Sequence, residues 1–135
     1  MHLIVCIDQR DGMLFNCRRL SSDKVLTQRI LQMTQGSTLW MSSYSAKLFS
    51  GFEGSIHVAE DYLACARNGA YCFAEDADLL GVKDKLESVT LFLWNRSYPA
   101  DKYFSRQLLE NLHLVHTEDF PGNSHETITL ERYEA

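Results

Sequence analysis

Two short stretches of the chain carry polar side chains whose types and spacing could bind a charged ligand. The first, Ser42-Ser43-Tyr44-Ser45, follows an apolar run and opens an expected helix. Its hydroxyls and the free N–H groups of a helix start could hold an anion, whereas helix capping alone needs only one serine. The second, Trp94-Asn95-Arg96, follows the clearest buried strand, and ligands of open α/β sheets bind at carboxyl strand ends. The candidate binding residues are therefore Ser42, Ser43, Ser45, Trp94, Asn95 and Arg96.

Asp23 is the one candidate for acid–base chemistry. It lies in the first turn of an expected helix, for which either Ser21 or Ser22 is the expected N-cap. A carboxylate at this place could contact a ligand, or it could simply stabilise the positive end of the helix dipole. The sequence leaves both roles open.

The histidines and cysteines do not form a recognisable metal site. His113 and His116 are an odd number of positions apart in an expected strand, so their side chains point to opposite faces. His116 and His125 could meet across the last hairpin, but no cysteine or carboxylate completes a tetrahedral set. We expect no bound metal. The four cysteines lack C-x-x-C spacing, which favours reduced thiols in a cytoplasmic protein.

Other catalytic signatures are missing as well. The chain has no G-x-S-x-G motif and no phosphate-binding loop. Serine hydrolase and nucleoside triphosphatase activities therefore have no support from sequence motifs.

The elements that must position these residues alternate between strand and helix, which predicts a largely parallel sheet with helices on both faces. The last two strands have only a short connection, so we expect them to pair antiparallel. Residues 8–19 are expected to form a loop. The expected strands are 3–7, 38–41, 56–58, 71–74, 89–94, 112–117 and 127–133, and the expected helices are 23–33, 44–49, 60–67, 76–86 and 100–109, the last opened by Pro99.

Composition limits the classes of partner. The 135 residues have 45% hydrophobic side chains and a formal net charge of −5, with Arg18-Arg19 as the only adjacent basic pair. A chain of this length and composition predicts a single domain, residues 1–135. The chain has no basic stripe, so the sequence does not favour a nucleic-acid partner. The apolar run at its start is too short to span a membrane.

The order of these elements resembles that of the dihydrofolate reductases, and also that of the reductase domain of bacterial riboflavin synthesis. Local sequence is loosely similar in several places along nearly the whole chain, at low identity. Met1 to Val5 resembles the first strand of the family, and Gly12-Met13 resembles part of the loop that follows it. Trp40 to Ser45 lies where the family has the segment hydrophobic-Met-Gly-Arg-x-Thr. The resemblance implies a three-layer α/β fold of the dihydrofolate reductase type, with a mostly parallel sheet and an antiparallel C-terminal strand.

The resemblance also implies where a reductase would bind its ligands, and this chain departs there. Ser42-Ser43 stand where the family has the glycine and arginine that meet the cofactor phosphates, and only Ser45 matches the helix-capping threonine. Trp94-Asn95 replace a Gly-Gly pair against which the pyrophosphate packs. Asp23 lies in the helix that carries the family's pterin-binding acid, but about one turn before the position of that acid. Val115 stands where the family has a threonine that helps this acid to hold the pterin.

These departures predict a diverged protein that binds a small ligand or acts as a regulator, without normal reductase activity and without a cofactor. The first alternative is an NAD(P)H-dependent reductase of a pteridine or pyrimidine derivative, which would use NADPH. The second is a protein-interaction module. The choice between a monomer and a homodimer is left open.

Overall fold

A computed structural model describes all residues, 1–135, and is built on a seven-stranded sheet in the order β5-β4-β6-β1-β7-β10-β9. A second, three-stranded sheet has the order β3-β2-β8. None of the helices is long and apolar enough to cross a bilayer. The strands are β1 His2–Ile7, β2 Gly12–Phe15, β3 Arg18–Arg19, β4 Leu39–Met41, β5 Ile56–Val58, β6 Tyr71–Phe73, β7 Ser88–Leu93, β8 Lys102–Tyr103, β9 His113–Phe120 and β10 Ile128–Glu134. The α-helices are α1 Lys24–Met33, α2 Ser43–Ala46 and α3 Tyr62–Cys65, and 3₁₀ helices span Lys47–Phe49, Leu80–Lys85 and Arg106–Leu109.

The central strands of the large sheet are covered on both faces, which explains their continuous apolar sequences. In β1, Leu3 and Val5 join one core cluster, and Ile4 joins the cluster on the opposite face. β1 pairs in parallel with β6 and β7, and β4 pairs in parallel with β5 and β6. The predicted three-layer α/β class with a mostly parallel sheet is confirmed.

The C-terminal end of the sheet is antiparallel. β10 pairs antiparallel with β7 on one side and with β9 on the other. This confirms the antiparallel C-terminal strand, which the short connection between the last two strands predicts. β9 is left as an edge strand, and its Leu114 and Val115 are each 51% exposed.

Helix α1 begins one residue later than the sequence predicts, because its N-cap is Asp23 rather than Ser21 or Ser22. The Asp23 side chain accepts hydrogen bonds from the amides of Val25 and Leu26. A carboxylate at this position satisfies two N–H groups and also favours the helix dipole, which a serine hydroxyl cannot do. Leu26 and Ile30 then pack into the core beneath the sheet.

Two further predictions of local structure are wrong. Residues 8–19 form β2 and β3, joined by a two-residue turn in which Asn16 and Cys17 both have positive φ. Residues 100–109 contain β8 and a short 3₁₀ helix instead of an α-helix, because the amides of Asp101 and Phe104 donate to carbonyls of Leu14 and Asp11. Long-range pairing with the β2 hairpin thus replaces the local helical bonds.

Candidate functional site

A small cavity lies where α1 begins, at the carboxyl ends of β1, β6 and β7. Ligands of open α/β folds bind at this edge of the sheet. Cys6, Phe73 and Trp94 line the cavity together with Asp23 and Leu26. Its volume is about 10 Å³, the space that one water molecule needs.

Asp23 lies against this cavity with its carboxylate fully enclosed, at 0% side-chain exposure. Besides capping α1, it accepts hydrogen bonds from the amides of Asn123 and Ser124 at 3.0 and 2.8 Å. Burial alone would raise the pKa of Asp23, but these bonds and a contact with His125 outweigh it and lower the pKa well below its usual range. The carboxylate is therefore ionised, and its hydrogen-bonding capacity is taken up by the protein itself.

His125 lies in the loop between β9 and β10, in contact with Asp23. Its Nδ1 is 3.0 Å from Oδ2 of Asp23, and its Nε2 is 3.0 Å from Oγ of Ser21. The hydroxyl of Tyr98 also lies 3.3 Å from Nε2. The sequence suggested instead that His125 could meet His116, but His116 lies on β9 beside Glu118.

Trp94 stacks on this histidine. The two ring centroids are 4.7 Å apart with an interplanar angle of 31°, and Trp94 is only 5% exposed. The next residue, Asn95, has a φ of +59° and donates hydrogen bonds to the carbonyl of Thr127 and the hydroxyl of Thr129. The end of β7 is thus attached to β10, while Arg96 is exposed and its side chain makes no ion pair or hydrogen bond.

A buried ion pair forms the opposite wall. Nε and Nη2 of Arg19 donate to Glu75 at 2.8 and 3.0 Å, and Ser45 Oγ donates to the same carboxylate at 2.8 Å. The guanidinium also lies 4.5 Å from the ring centroid of Tyr44. Burial, together with Glu75, raises the pKa of the Cys6 thiol, so this thiol is protonated and is a poor nucleophile.

The start of α2 is occupied by side chains of the protein. Ser42 is its N-cap and accepts from the amide of Ser45 at 3.3 Å. The amide of Ser43 donates to Glu60 at 2.9 Å, and hydrogen bonds from Ser43 lower the pKa of that carboxyl group. A negative charge of the protein itself therefore lies at this helix start.

An open groove of about 460 Å³ remains beside the cavity. Phe15, Tyr98 and Pro99 supply its apolar surface, and Arg18 supplies positive charge, whereas the charge of Arg19 is paired with Glu75. Arg18 is exposed and makes no ion pair, so its charge is available to a ligand. This volume lies within the range of small-molecule sites.

The structure thus separates the candidate residues of the sequence into two groups. Asp23 and Trp94 come together with His125, whereas Ser42 and Ser45 lie on the far side around Glu75. Val115 is on the edge strand and does not line the cavity. Ser21, Arg19, Glu75 and Tyr98 carry no local motif, so they were not singled out as site residues.

Replacement of Trp94 by glycine should cost about 3–5 kcal/mol of unfolding free energy, because it empties a buried volume that the neighbours cannot refill. Denaturant unfolding measures this change. Arg96→Ala is the matched control at the same strand end and should stay within about 0.5 kcal/mol of the unmodified protein. An unchanged midpoint for Trp94→Gly would mean that the indole contributes no packing.

Asp23→Asn should cost about 3 kcal/mol near neutral pH, because it removes a buried charge on which several donors converge. The folded-state pKa of Asp23 is lowered, so its contribution is complete above the unfolded value of about 3.9 and is lost as the pH falls below it. The difference in unfolding free energy between the two proteins should therefore shrink below about pH 4.

The control for this experiment is Ser22→Ala, which removes an exposed hydroxyl that does not cap α1 and should change stability by less than about 0.5 kcal/mol. A cost for Asp23→Asn that stays constant down to the lowest accessible pH would contradict the role of the ionised carboxylate.

Comparison with known proteins places the fold. No protein-family model and no curated protein matches the sequence. Among solved structures, the chain is similar to dihydrofolate reductase from Enterococcus faecalis in complex with NADP(H) and RAB-propyl, with a TM-score of 0.69 and 8% sequence identity. The match covers 98% of this chain and 94% of the reductase. The chain therefore has a dihydrofolate reductase-like fold, at a sequence distance that leaves its activity to be argued from its own residues.

Proposed function

We propose that this protein binds a small anionic ligand, as a carrier or regulator, and does not reduce dihydrofolate. The observation that carries this proposal is the contrast between two spaces at the same end of the sheet. The cavity next to Asp23 holds about 10 Å³, while the neighbouring groove with Arg18 offers about 460 Å³.

The residues around the cavity do not fit a nicotinamide dinucleotide in the family manner. The resemblance aligns Trp94, here a buried indole, with the Gly-Gly pair, and it aligns Ser43 with the arginine that meets the cofactor phosphates. The amide of Ser43 donates to the Glu60 carboxylate instead. A carboxylate there would repel a phosphate instead of attracting it. We therefore derive no hydride transfer for this chain.

A folate is disfavoured for a related reason. The acid that would hold a pterin ring, Asp23, is already bound by four backbone amides and His125. A pterin would have to break these bonds and displace His125 from a buried site. Such a displacement leaves buried polar groups unpaired, at a cost of about 1–3 kcal/mol for each.

The groove has the composition that an anionic ligand with a flat ring would need. A guanidinium can pair with a carboxylate or phosphate in two parallel hydrogen bonds, and aromatic side chains offer faces for stacking. Arg18 supplies the first, and Phe15 and Tyr98 supply the second. The four free cysteines support a reducing compartment, the cytoplasm, as its place of action.

Two other functions remain as alternatives. The NADP(H)-bound structural neighbour supports an NADPH-dependent reductase of a pteridine or pyrimidine derivative. The exposed edge strand β9, with Leu114 and Val115, supports a protein-interaction module or a homodimer, since an unpaired strand edge can pair with another chain. The following two experiments separate these alternatives from ligand binding.

Incubation with dihydrofolate and NADPH should give no oxidation of NADPH, because neither ligand has a place next to Asp23. The decrease of NADPH absorbance measures this, with a dihydrofolate reductase as the positive control. Tryptophan fluorescence, to which Trp40 and Trp94 both contribute, should also stay unchanged when NADPH is titrated. Turnover on the order of one per second or faster, or a saturable change in fluorescence, would support the reductase alternative instead.

Titration calorimetry with 4-nitrobenzoate, an aromatic carboxylate, tests the groove. Arg18→Gln should weaken binding by about tenfold, since a charged hydrogen bond contributes about 1.5–3 kcal/mol. Arg96→Gln removes an exposed arginine outside the groove and should leave binding unchanged. Absence of binding, or equal affinity for the neutral 4-nitrobenzyl alcohol, would contradict an anion site. The protein-interaction module would then be the remaining alternative.

A further inference from the structure

Three polar side chains beside the groove are connected in the order that nucleophilic catalysis uses. Oγ of Ser21 is 3.0 Å from Nε2 of His125, and Nδ1 of the same ring is 3.0 Å from Oδ2 of Asp23. A hydroxyl, a base in hydrogen-bond contact with it and a third group that orients the base are the general signature of an activated nucleophile.

We propose that Ser21, His125 and Asp23 form an acyl-transfer site, at which Ser21 attacks a carboxylic ester that carries an anionic group. The site arises only in the folded chain, since His125 is 104 positions from Ser21. The choice of an anionic ester rests on the proposed function of the groove, whereas the reactivity of Ser21 does not.

The contacts of His125 fit the tautomer that the reaction needs. In the tautomer that carries its proton on Nδ1, the ring donates to the carboxylate of Asp23 and the lone pair of Nε2 faces the hydroxyl of Ser21. Oγ of Ser124 also lies 3.1 Å from Nδ1. Its hydroxyl donates to the Asp23 carboxylate, so Ser124 does not have to accept the proton of the ring. The amides of Asn123 and Ser124 hold the carboxylate in place.

The base is shielded from water, while the nucleophile is partly exposed and lines the small cavity. The side chains of His125 and Asp23 are 3% and 0% exposed, and the indole of Trp94 covers one face of the imidazole. Ser21 is half-buried and directly follows Leu20, which lines the groove. Exclusion of water strengthens the electrostatic contacts on which proton transfer depends.

Tyr98 connects the triad to the groove. Its ring lines the groove, and its hydroxyl lies 3.3 Å from Nε2 of His125, so that it and the Ser21 hydroxyl face the same nitrogen. A tyrosine O–H can donate to an oxygen on which negative charge develops. Tyr98 is therefore placed to stabilise the oxyanion that forms when Ser21 attacks.

The steps balance without a cofactor. Oγ of Ser21 forms a bond to the ester carbonyl carbon and its proton passes to Nε2 of His125. The tetrahedral intermediate collapses, the bond to the alcohol oxygen breaks, and this oxygen takes the proton from Nε2. A water molecule then attacks the acyl group on Ser21 by the same proton transfers, and the carboxylic acid is released.

Diisopropyl fluorophosphate tests the nucleophile directly, because Oγ of an activated serine displaces its fluoride. Mass spectrometry of the full chain should find one diisopropylphosphoryl group, and peptide mapping should locate it on Ser21. Ser21→Ala should abolish labelling. Ser22→Ala, which removes the exposed neighbouring hydroxyl, should be labelled at the rate of the unmodified protein.

The same reagent tests the base. His125→Gln should slow labelling by about 100-fold or more, since general-base assistance contributes a factor of about 10²–10⁴. Circular dichroism checks that this variant is folded. If it is not, the result on Ser21 in the unmodified protein still decides the proposal.

The reagent carries no charge, so its reaction with Ser21 does not depend on anion binding in the groove. Arg96→Gln, which removes an exposed arginine outside the groove, should be labelled at the rate of the unmodified protein. If the protein binds no anion but Ser21 is still labelled, the proposed anion site in the groove is wrong and the proposed triad stands. An unmodified protein that stays unlabelled while a serine hydrolase in the same tube reacts, or one labelled at residues other than Ser21, would overturn the triad.

Discussion

The buried carboxylate of Asp23 is the contact on which this end of the molecule depends. Through one oxygen it caps α1, and through both it holds the loop between β9 and β10 by the amides of Asn123 and Ser124. A single charge thereby joins two segments that are about 100 positions apart in the chain, as the separation of Asp23 and Asn123 shows. The buried carboxylate is tolerated only because N–H donors surround it on several sides.

This contact also determines what surrounds the small cavity next to Asp23. The loop that Asp23 holds carries His125 into the site, and Trp94 packs against the imidazole. On the opposite wall, Arg19 and Glu75 neutralise each other, so neither charge is directed toward a ligand. In this chain, side chains fill the space between the start of α1 and the end of β7, down to a cavity of about 10 Å³.

The fold itself follows from features that are visible along the chain. The continuous apolar runs of β1 and β7 predict strands buried on both faces, and the short final connection predicts the antiparallel end of the sheet. Shorter elements are less predictable. β2, β3 and β8 consist of two to four residues each, and their hydrogen bonds go to one another rather than to local neighbours. No periodic pattern can develop over so few positions.

The sequence by itself determined the sheet and its two covered faces, because each of these is a property of residue type and spacing. It also pointed to Asp23 and Trp94 individually. Only the tertiary structure decided their roles, since Ser21, Asp23 and His125 meet through a loop contact that has no signature in local sequence. A hydrogen bond needs its donor and acceptor within about 3 Å, and a separation along the chain says nothing about that distance until the backbone has folded.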